Sequence, residues 1–360
     1  MTSSSDDLDD LRAAVRDFLT DKSGEEAVRA AMETPDRFDP AVWTQLADQL
    51  RLPGLAIPEE FGGDGFGLVE LCVVLEELGR ALACVPFFSS AVLAAHALLA
   101  SGDQAACARY LPEIAAGRLR ATLAVADANG AWTDTVAAQD GRLTGHRSFV
   151  IDGTTAELLL VLARTPAGPS LFAVDRDAPG LRTSLLTALD ATRALARIDL
   201  DNTLATPVGS GDFPLDSVLD IASVCLAAEQ AGGARRCLEM SAEYATTRFQ
   251  FGRRIGTFQA VKHKCADMLV QVELAGASVR EAARLHDEQS TGFPAAATAA
   301  HACCSRAFLF AALENIQVHG GIGFTWEHPA HLYVRRAKTS QLLLGGPGAY
   351  HERLLHKLGI

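Results

Sequence analysis

The sequence lacks positive charge and long apolar runs. It holds 32 Lys and Arg residues against 44 Asp and Glu residues, which gives a formal net charge of -12 at pH 7. Such an acidic chain does not suit nucleic acid or an anionic membrane surface, so we expect neither as a partner. No apolar run reaches the roughly 20 residues of a membrane span, and the acidic start MTSSSDDLDDL has no apolar signal core. We therefore expect a cytoplasmic protein.

Cysteine and glycine motifs with known chemistry are also missing. The chain has eight cysteines but no CxxC pair, which excludes the spacing of zinc fingers and redox dithiols, and no metal site is expected. Five cysteines lie in apolar helical patterns and are expected to be reduced and buried: Cys72, Cys225, Cys237, Cys265 and Cys303. The glycine-rich residues 59–67 match neither GxGxxG nor the P-loop pattern, so they predict a structural turn.

What the sequence does contain is helical periodicity on both sides of a β-like region. Residues 1–118 repeat apolar side chains at helical spacing, and residues 211–360 do so again in four or five long segments. Between them, residues 119–210 break into short apolar runs separated by Gly, Pro, Asn or Asp, which is typical of an all-β module. The predicted fold is mainly α with a central β domain: a helical domain (1–118), a β barrel or sandwich (119–210) and a helical bundle (211–360).

The stretch with the most chemical content joins two C-terminal helical segments at residues 244–268, YATTRFQFGRRIGTFQAVKHKCADM. Its polar centre puts Arg248 beside Phe249 and Phe251, with Arg253 and Arg254 further on. A guanidinium binds phosphate bidentately, and aromatic rings pack on flat heterocycles, so this loop suits a planar, anionic ligand. The alternative is a solvated basic turn between two helices.

Three motifs carry a family resemblance. EEFGGDGFGLVELCVVLEELGRA, RFQFGRRIGTFQAVKHKCADM and QVHGGIGFTWEHPAHLYVRRA together resemble the acyl-CoA dehydrogenase family over nearly the whole chain. The resemblance implies that family's fold, with an N-terminal helical domain, a middle β domain and a C-terminal four-helix bundle. It also implies a flavoprotein oxidoreductase of lipid metabolism, in fatty acid or steroid degradation. Such an enzyme binds FAD, oxidises the Cα–Cβ bond of an acyl-CoA and passes electrons to an electron-transfer flavoprotein.

In that family each FAD lies across a subunit boundary, and the half that faces a neighbouring subunit is intact here. The resemblance implies that this half contacts the FAD pyrophosphate and adenine through Arg248, Gln250, Phe251, Gln259, Gln317, Gly320 and Gly321. The missing side chains of the two glycines let the backbone approach a phosphate closely. His319, between Gln317 and the glycines, has two open interpretations: a ligand contact or a packing residue.

The half that would hold the chain's own flavin ring departs from the family pattern. The family's Thr-Glu-Pro…Gly-Ser-Asp loop corresponds to VADANGAWTDT, where only Asn129, Gly130 and Thr133 offer similar chemistry. The family's Trp-Ile-(Ser/Thr) strand corresponds to residues 148–150, where Phe149 keeps an aromatic surface but the hydroxyl is out of place. The resemblance therefore implies that the flavin-ring pocket of this chain is eroded.

The catalytic base is missing from both positions where relatives carry a glutamate. These positions hold Leu344 and Ala222, which cannot take a proton, so no catalytic residue is assigned. Asp220 and Glu229, on the same predicted helix as Ala222, are weak candidates for a displaced base, and a structural partner is the alternative for each. Contacts to CoA are unplaced, since the scattered arginines that could make them are equally explained as surface ion pairs: Arg147, Arg193 and Arg336.

A preserved neighbour-facing half beside a lost flavin-ring half resembles the smaller, base-lacking subunit of actinobacterial heteromeric (α2β2) acyl-CoA dehydrogenases. The leading hypothesis is a subunit that completes the FAD site of a partner subunit, in a heterotetramer that acts on an acyl-CoA substrate. The alternatives are a homo-oligomeric acyl-CoA dehydrogenase with a relocated carboxylate base, and a non-catalytic scaffold or binding protein. The Leu- and Ala-rich pocket helices do not discriminate among fatty, branched and steroid acyl groups.

Overall fold

A computed structural model of the chain describes residues 4–130 and 135–360. Its N-terminal helices are α1 (Ser5–Lys22), α2 (Glu25–Glu33), α3 (Pro40–Leu50), α4 (Leu68–Ala81), α5 (Ala95–Ala100), which continues a π-helix at Phe88–Ala94, and α6 (Gln104–Ala115). The strands that follow are β1 (Ala121–Ala124), β2 (Ala137–Gln139), β3 (Arg142–Ile151), β4 (Leu158–Thr165), β5 (Gly168–Asp175), β6 (Leu181–Leu185), β7 (Leu195–Leu204) and β8 (Thr206–Val208). The remaining elements are α7 (Leu215–Thr247), β9 (Phe249–Gln250), β10 (Arg253–Arg254), α8 (Gln259–Asp287), α9 (Phe293–His319), α10 (Ala330–Leu342) and α11 (Pro347–Lys357). The predicted fold class, mainly α with a central β region, is confirmed.

The strands β1 to β8 form one sheet with mixed pairing. Its order is β6-β7-β3-β2-β4-β5-β8, and β1 pairs in parallel with β4, whose pairing with β5 is antiparallel. Small, branched and aromatic side chains build the core of this region: Ala124, Val136, Leu143, Val150, Leu159, Val161, Phe172, Val174, Ile198 and Leu200. The short apolar runs between turn residues are strands because each can bury one face in this core.

The chain divides into two compact units. The first contains Arg29–Gly67 and Cys84–Ala222 and includes the sheet. The second contains the described residues before Arg29, together with Leu68–Ala83 and Ser223–Ile360, and it is helical apart from the pair β9–β10. The domain limits expected at residues 118 and 210 stay predictions.

Within the second unit, α4 and α7 cross with their backbones in contact. A Cβ atom at Gly79 would lie 2.0 Å from the carbonyl oxygen of Glu229, and one at Gly232 would lie 1.8 Å from that of Glu76. Only glycine permits this approach, because a methyl group cannot occupy the space already filled by a backbone oxygen. The crossing fixes the position of Glu229 inside the unit.

All eight cysteines are free thiols. Six are buried, whereas Cys265 and Cys303 are half-buried. Burial raises the pKa of the Cys237 and Cys304 thiols, which keeps both protonated and unreactive. The expectation of buried, reduced cysteines is confirmed for Cys72, Cys225 and Cys237, which pack as small apolar side chains, whereas the expected burial is wrong for Cys265 and Cys303.

One stretch of the described chain, Phe293–Phe324, is long and apolar enough to cross a membrane by length and composition alone. This finding corrects the expectation that no such run exists. Its most apolar part is 56% buried inside the fold, as for a core helix. Accordingly, α9 packs against α8, α10 and α11.

Candidate functional site

The segment after α7 folds into a short hairpin. Its strands β9 and β10 pair antiparallel, and Phe251 and Gly252 between them have φ values of 52° and 75°. Two successive positive φ values are typical of a tight hairpin turn. The Arg248 N–H donates to the Tyr244 carbonyl at 2.9 Å, and the Arg248 carbonyl accepts from Ile255 at 2.9 Å. We call residues 248–254 the arginine hairpin, which replaces the simple turn expected from the sequence.

The arginine hairpin carries exposed positive charge. Arg248, Arg253 and Arg254 are all exposed, and none forms an ion pair with a carboxylate among residues 4–130 and 135–360. The Arg253 guanidinium lies 4.0 Å from the centre of the Phe258 ring, and Phe251 is 90% exposed. On a chain with net charge -12, three cations without carboxylate partners form a local positive patch beside an exposed aromatic ring.

A glycine turn follows the end of α9. Gly320 has a φ of 63°, which favours glycine, and it begins the 3₁₀ turn Gly320–Phe324. A Cβ atom at Gly320 or Gly321 would meet no heavy atom within 4 Å. Gln317, one helical turn earlier, is exposed. The backbone of this turn is therefore open to a ligand from outside the chain.

Side-chain contacts in the second unit bring the arginine hairpin and the glycine turn together. The rings of Tyr244 and His319 stack with centroids 4.3 Å apart and an interplanar angle of 28°. Lys264 near the start of α8 forms an ion pair with Glu314 near the end of α9. The predicted cofactor contacts are all exposed, and we call them together the arginine–glycine surface: Arg248, Gln250, Phe251, Gln259, Gln317, Gly320 and Gly321.

This surface can bind an anionic ligand that has a flat ring. Unpaired guanidiniums donate charge-assisted hydrogen bonds to phosphate oxygens. An open glycine backbone adds N–H donors at close range, as in other phosphate-binding turns. The exposed Phe251 ring offers an apolar face to a heterocycle.

The two usual base positions hold side chains without acid–base chemistry. Leu344 follows α10 with a φ of 58° and is half-buried. Ala222 lies in α7 with 1% of its surface exposed. Asp220, two residues earlier, is also buried, with 4% exposed.

Glu229, the other weak candidate for a base, lies in a buried ion pair. Its Oε1 atom is 2.9 Å from Nη1 of Arg336, and the two side chains expose only 6% and 3% of their surfaces. Arg336 is therefore an interior residue, and the expectation of a surface ion pair is wrong. Because 107 residues separate the partners, the pairing left no local pattern in the sequence.

Two further arginines expected at the surface are buried in the first unit. Arg147 is 1% exposed and donates from Nη2 to the carbonyl oxygen of Leu162. Arg193 is 6% exposed, and its guanidinium lies 5.3 Å from the centre of the Phe88 ring. The alternative of a surface ion pair is therefore wrong for both, because each guanidinium is buried, with a backbone acceptor or a ring face among its partners.

The residues predicted to replace the family's flavin-ring contacts lie on the first unit. Phe149 is 40% exposed with a φ of 54°, at a bulge where the register of β3 against β7 shifts. The Asn129 N–H donates to Oδ1 of Asp127 at 2.7 Å, and Gly130 continues this turn. Thr133, named with them, lies outside the described residues.

Sequence reasoning missed the side chains that support the arginine–glycine surface. Tyr244 and His328 both belong to a ring stack around His319, and Asn315 accepts a hydrogen bond from Ser241 at 2.9 Å. These residues are distant in the chain, and no spacing rule connects them. The local signal was that each of the three rings lies in or next to a motif of the family resemblance, which does not predict their contact.

Comparison with known proteins places this fold in a family. The sequence matches the models of the acyl-CoA dehydrogenase N-terminal domain at residues 5–118 and C-terminal domain at residues 215–357. It is 36% identical to acyl-CoA dehydrogenase IpdE2 of Mycobacterium tuberculosis, over 96% of this chain and 95% of that protein. The chain belongs to the acyl-CoA dehydrogenase family. The family resemblance drawn from the three motifs is confirmed. Members of this family are oxidoreductases, and family membership implies FAD as the cofactor.

Solved structures extend the similarity over the full length of this acyl-CoA dehydrogenase family member. The ChsE4–ChsE5 complex from Mycobacterium tuberculosis matches with a TM-score of 0.92 and 30% identity, over 100% of this chain and 99% of the matched chain. The Tcur3481–Tcur3483 steroid ACAD matches with a TM-score of 0.90 and 34% identity, over 98% of both chains. Butyryl-CoA dehydrogenase of Megasphaera elsdenii shares the fold, with a TM-score of 0.89 and 21% identity.

Proposed function

We propose that this chain is one subunit of a heteromeric, FAD-dependent acyl-CoA dehydrogenase, in which it completes the FAD site of a partner subunit. One observation carries the proposal: the chain keeps an exposed surface of unpaired arginines and open glycines but has Leu344 and Ala222 where relatives keep a base. A chain that binds the phosphate end of FAD without a base needs a second chain to supply the base.

The arginine–glycine surface fits the pyrophosphate and adenosine half of FAD. Arg248 would hold the pyrophosphate, and the exposed backbone at Gly320 and Gly321 would approach the phosphate oxygens. Gln250, Gln259 and Gln317 would hydrogen-bond the adenosine part, with Phe251 packed on a ring. Bound FAD supplies the hydride acceptor for Cα–Cβ oxidation, and the residues of this chain bind and orient it.

The ion pair of Glu229 argues against a relocated base in a homo-oligomer. The Glu229 carboxylate already accepts a hydrogen bond from the buried Arg336 side chain at 2.9 Å, so its Oε1 atom is occupied by a structural partner. A base also needs access to the substrate proton, and the Glu229 side chain exposes only 6% of its surface. Two similar solved structures each carry the names of two proteins, which supports a two-chain assembly.

For the complex we propose α,β-dehydrogenation of an acyl-CoA thioester in fatty acid or steroid degradation. One similar structure is named a steroid ACAD, which supports a substrate with a steroid-derived acyl group. The proposed electron acceptor is an electron-transfer flavoprotein, and the proposed location is the cytoplasm.

Co-expression tests the proposal. The chain would be purified alone and together with an acyl-CoA dehydrogenase-family chain encoded beside it that retains the glutamate base. We expect the single chain to be flavin-poor and inactive, and the pair to bind FAD and to lose flavin absorbance when an acyl-CoA is added. Full flavin occupancy and turnover by the single chain would support the homo-oligomer instead. If flavin is never bleached with any acyl-CoA or partner, the protein is a scaffold.

A further inference from the structure

Three aromatic rings form a continuous stack beneath the arginine–glycine surface. Tyr244, in the last turn of α7, stacks on His319, and the His319 ring lies 4.2 Å from the ring of His328 at an angle of 38°. His319 is 6% exposed, and its ring lies against both neighbouring rings. We call Tyr244, His319 and His328 the ring stack.

Two members of the stack, Tyr244 and His319, are joined directly to the arginine hairpin and the glycine turn. The Tyr244 carbonyl accepts the hydrogen bond of the Arg248 N–H at 2.9 Å, so a shift of Tyr244 moves the start of the arginine hairpin. On the other side, His319 is the residue before Gly320. A change in the distance between the Tyr244 and His319 rings is therefore expected to change the distance between the arginine hairpin and the glycine turn.

The His319 ring is held in one orientation by its own helix. Nδ1 lies 2.8 Å from the carbonyl oxygen of Asn315, and a carbonyl can only accept, so Nδ1 carries the proton. The side-chain oxygen of Asn315 in turn accepts from the Ser241 hydroxyl of α7 at 2.9 Å. Thus α7 and α9 are tied by a hydrogen bond one turn below the stacked rings.

We propose that His319 is a positioning residue for FAD: through the ring stack it sets the spacing between the arginine hairpin and the glycine turn, so that one dinucleotide meets both. The proposal rests on the proposed function. Of the two interpretations of His319, it takes the packing residue, because a ring that is 6% exposed and lies against two other rings acts through its neighbours.

The environment of the ring stack favours the uncharged form of both imidazoles. Burial lowers the pKa of His319, and burial followed by the charge of His319 lowers the pKa of His328 to about 4. The charged or titratable groups around His328 are His319, His331 and Arg236, which oppose its protonation, and Glu25, which favours it. Because both imidazoles are neutral when stacked, the stack is complete above pH 6.5 and opens as pH falls toward the lowered pKa values.

Hydrogen exchange of the chain alone tests the coupling without any FAD or partner. We expect His319→Ala to speed amide exchange of the arginine hairpin by about three- to tenfold at neutral pH, while His319→Phe, which keeps a ring, restores protection. The matched control is His301→Ala, which removes another buried α9 histidine whose ring contacts Tyr350 instead. It should leave hairpin exchange unchanged. Equal exchange in wild type and His319→Ala would overturn the proposal.

FAD retention of the co-expressed complex gives the second readout. We expect His319→Ala to release FAD several-fold more readily than wild type or His319→Phe at neutral pH. At about pH 5, His328→Phe should retain more FAD than wild type, because it keeps the ring and cannot take a charge. FAD retention unaffected by His319→Ala would reject His319 as a positioning residue. If hairpin exchange responds as expected but no complex holds FAD, the coupling stands and the proposed function fails.

Discussion

The second unit places its arginines in two opposite situations. Arg336 is buried and makes a short ion pair with Glu229, whereas Arg248 on the arginine hairpin is exposed with no carboxylate partner in the described chain. An interior charge must be neutralised, because removal from water costs several kcal/mol. A surface guanidinium stays solvated, so leaving it without a partner in the absence of a ligand costs little free energy. Of these two arginines, the paired one belongs to the interior of the unit and the unpaired one to the candidate site.

The largest expected effect is in the interior. Arg336→Ala leaves Glu229 buried without its cation, and we expect the free energy of unfolding to fall by about 3–5 kcal/mol. Urea unfolding of the purified chain measures this change. The double variant Glu229→Leu, Arg336→Met removes both charges and should recover most of the loss. If Glu229→Gln instead keeps stability and abolishes turnover of the complex, Glu229 is a base and the contrast between the two arginine sites fails.

A buried histidine gives the interior a pH dependence. Burial, and secondarily the charge of Arg353, lowers the pKa of His301 to about 4. A histidine that is harder to protonate in the folded chain contributes stability that is complete above pH 6.5 and is lost as pH falls toward 4. The loss amounts to roughly 3 kcal/mol over that range. Unfolding curves of His301→Phe should lack this part of the decline, and an unchanged decline would show that other groups cause it.

The exposed arginine is expected to matter for the cofactor and not for stability. Arg248→Ala removes the proposed charge-assisted hydrogen bonds to phosphate. The affinity of the complex for FAD should therefore fall by about 10- to 100-fold. Equilibrium dialysis of the reconstituted complex measures the affinity. Arg118→Ala is a matched control, since Arg118 is an exposed arginine paired with Glu113 on the first unit. A variant at Arg248 that kept its FAD and lost only turnover would contradict the proposed division between subunits.

The smallest expected effect is at Gly321, where a substitution distinguishes a glycine needed for ligand approach from one needed for its backbone conformation. Gly321 has no positive φ, and a Cβ there would meet nothing within 4 Å, so Gly321→Ala should unfold at the wild-type temperature. We expect only a few-fold loss of FAD affinity, because the methyl group keeps the phosphate at a distance. Gly348→Ala, also in open space but at the start of α11, should change neither property. Wild-type FAD affinity in Gly321→Ala would remove this glycine from the cofactor site.

Local sequence patterns predicted the fold, whereas contacts between residues distant in the chain could not be predicted from them. Helical periodicity predicted four or five long helical segments over residues 211–360, and the observed α9, Phe293–His319, is one of them, because its turns repeat one buried face. The arginine hairpin escaped because two strands of two residues are too short to show alternation. The buried Arg336 escaped for another reason: its environment depends on a residue 107 positions away. The candidate site residues were predicted through motif resemblance, whereas the ring stack beside them joins residues that are distant in the sequence and follow no local pattern.

The arginine hairpin also bears on how fast a ligand is captured. Most of this acidic molecule repels phosphates, while the hairpin attracts them only within the screening distance, about 8 Å at physiological ionic strength. If the hairpin binds a dinucleotide as proposed, its charge acts during the last step of the approach. Raising the salt concentration should then slow this association, whereas the buried pair of Arg336 and Glu229 is screened much less, so ionic strength would change cofactor association separately from the stability of the fold.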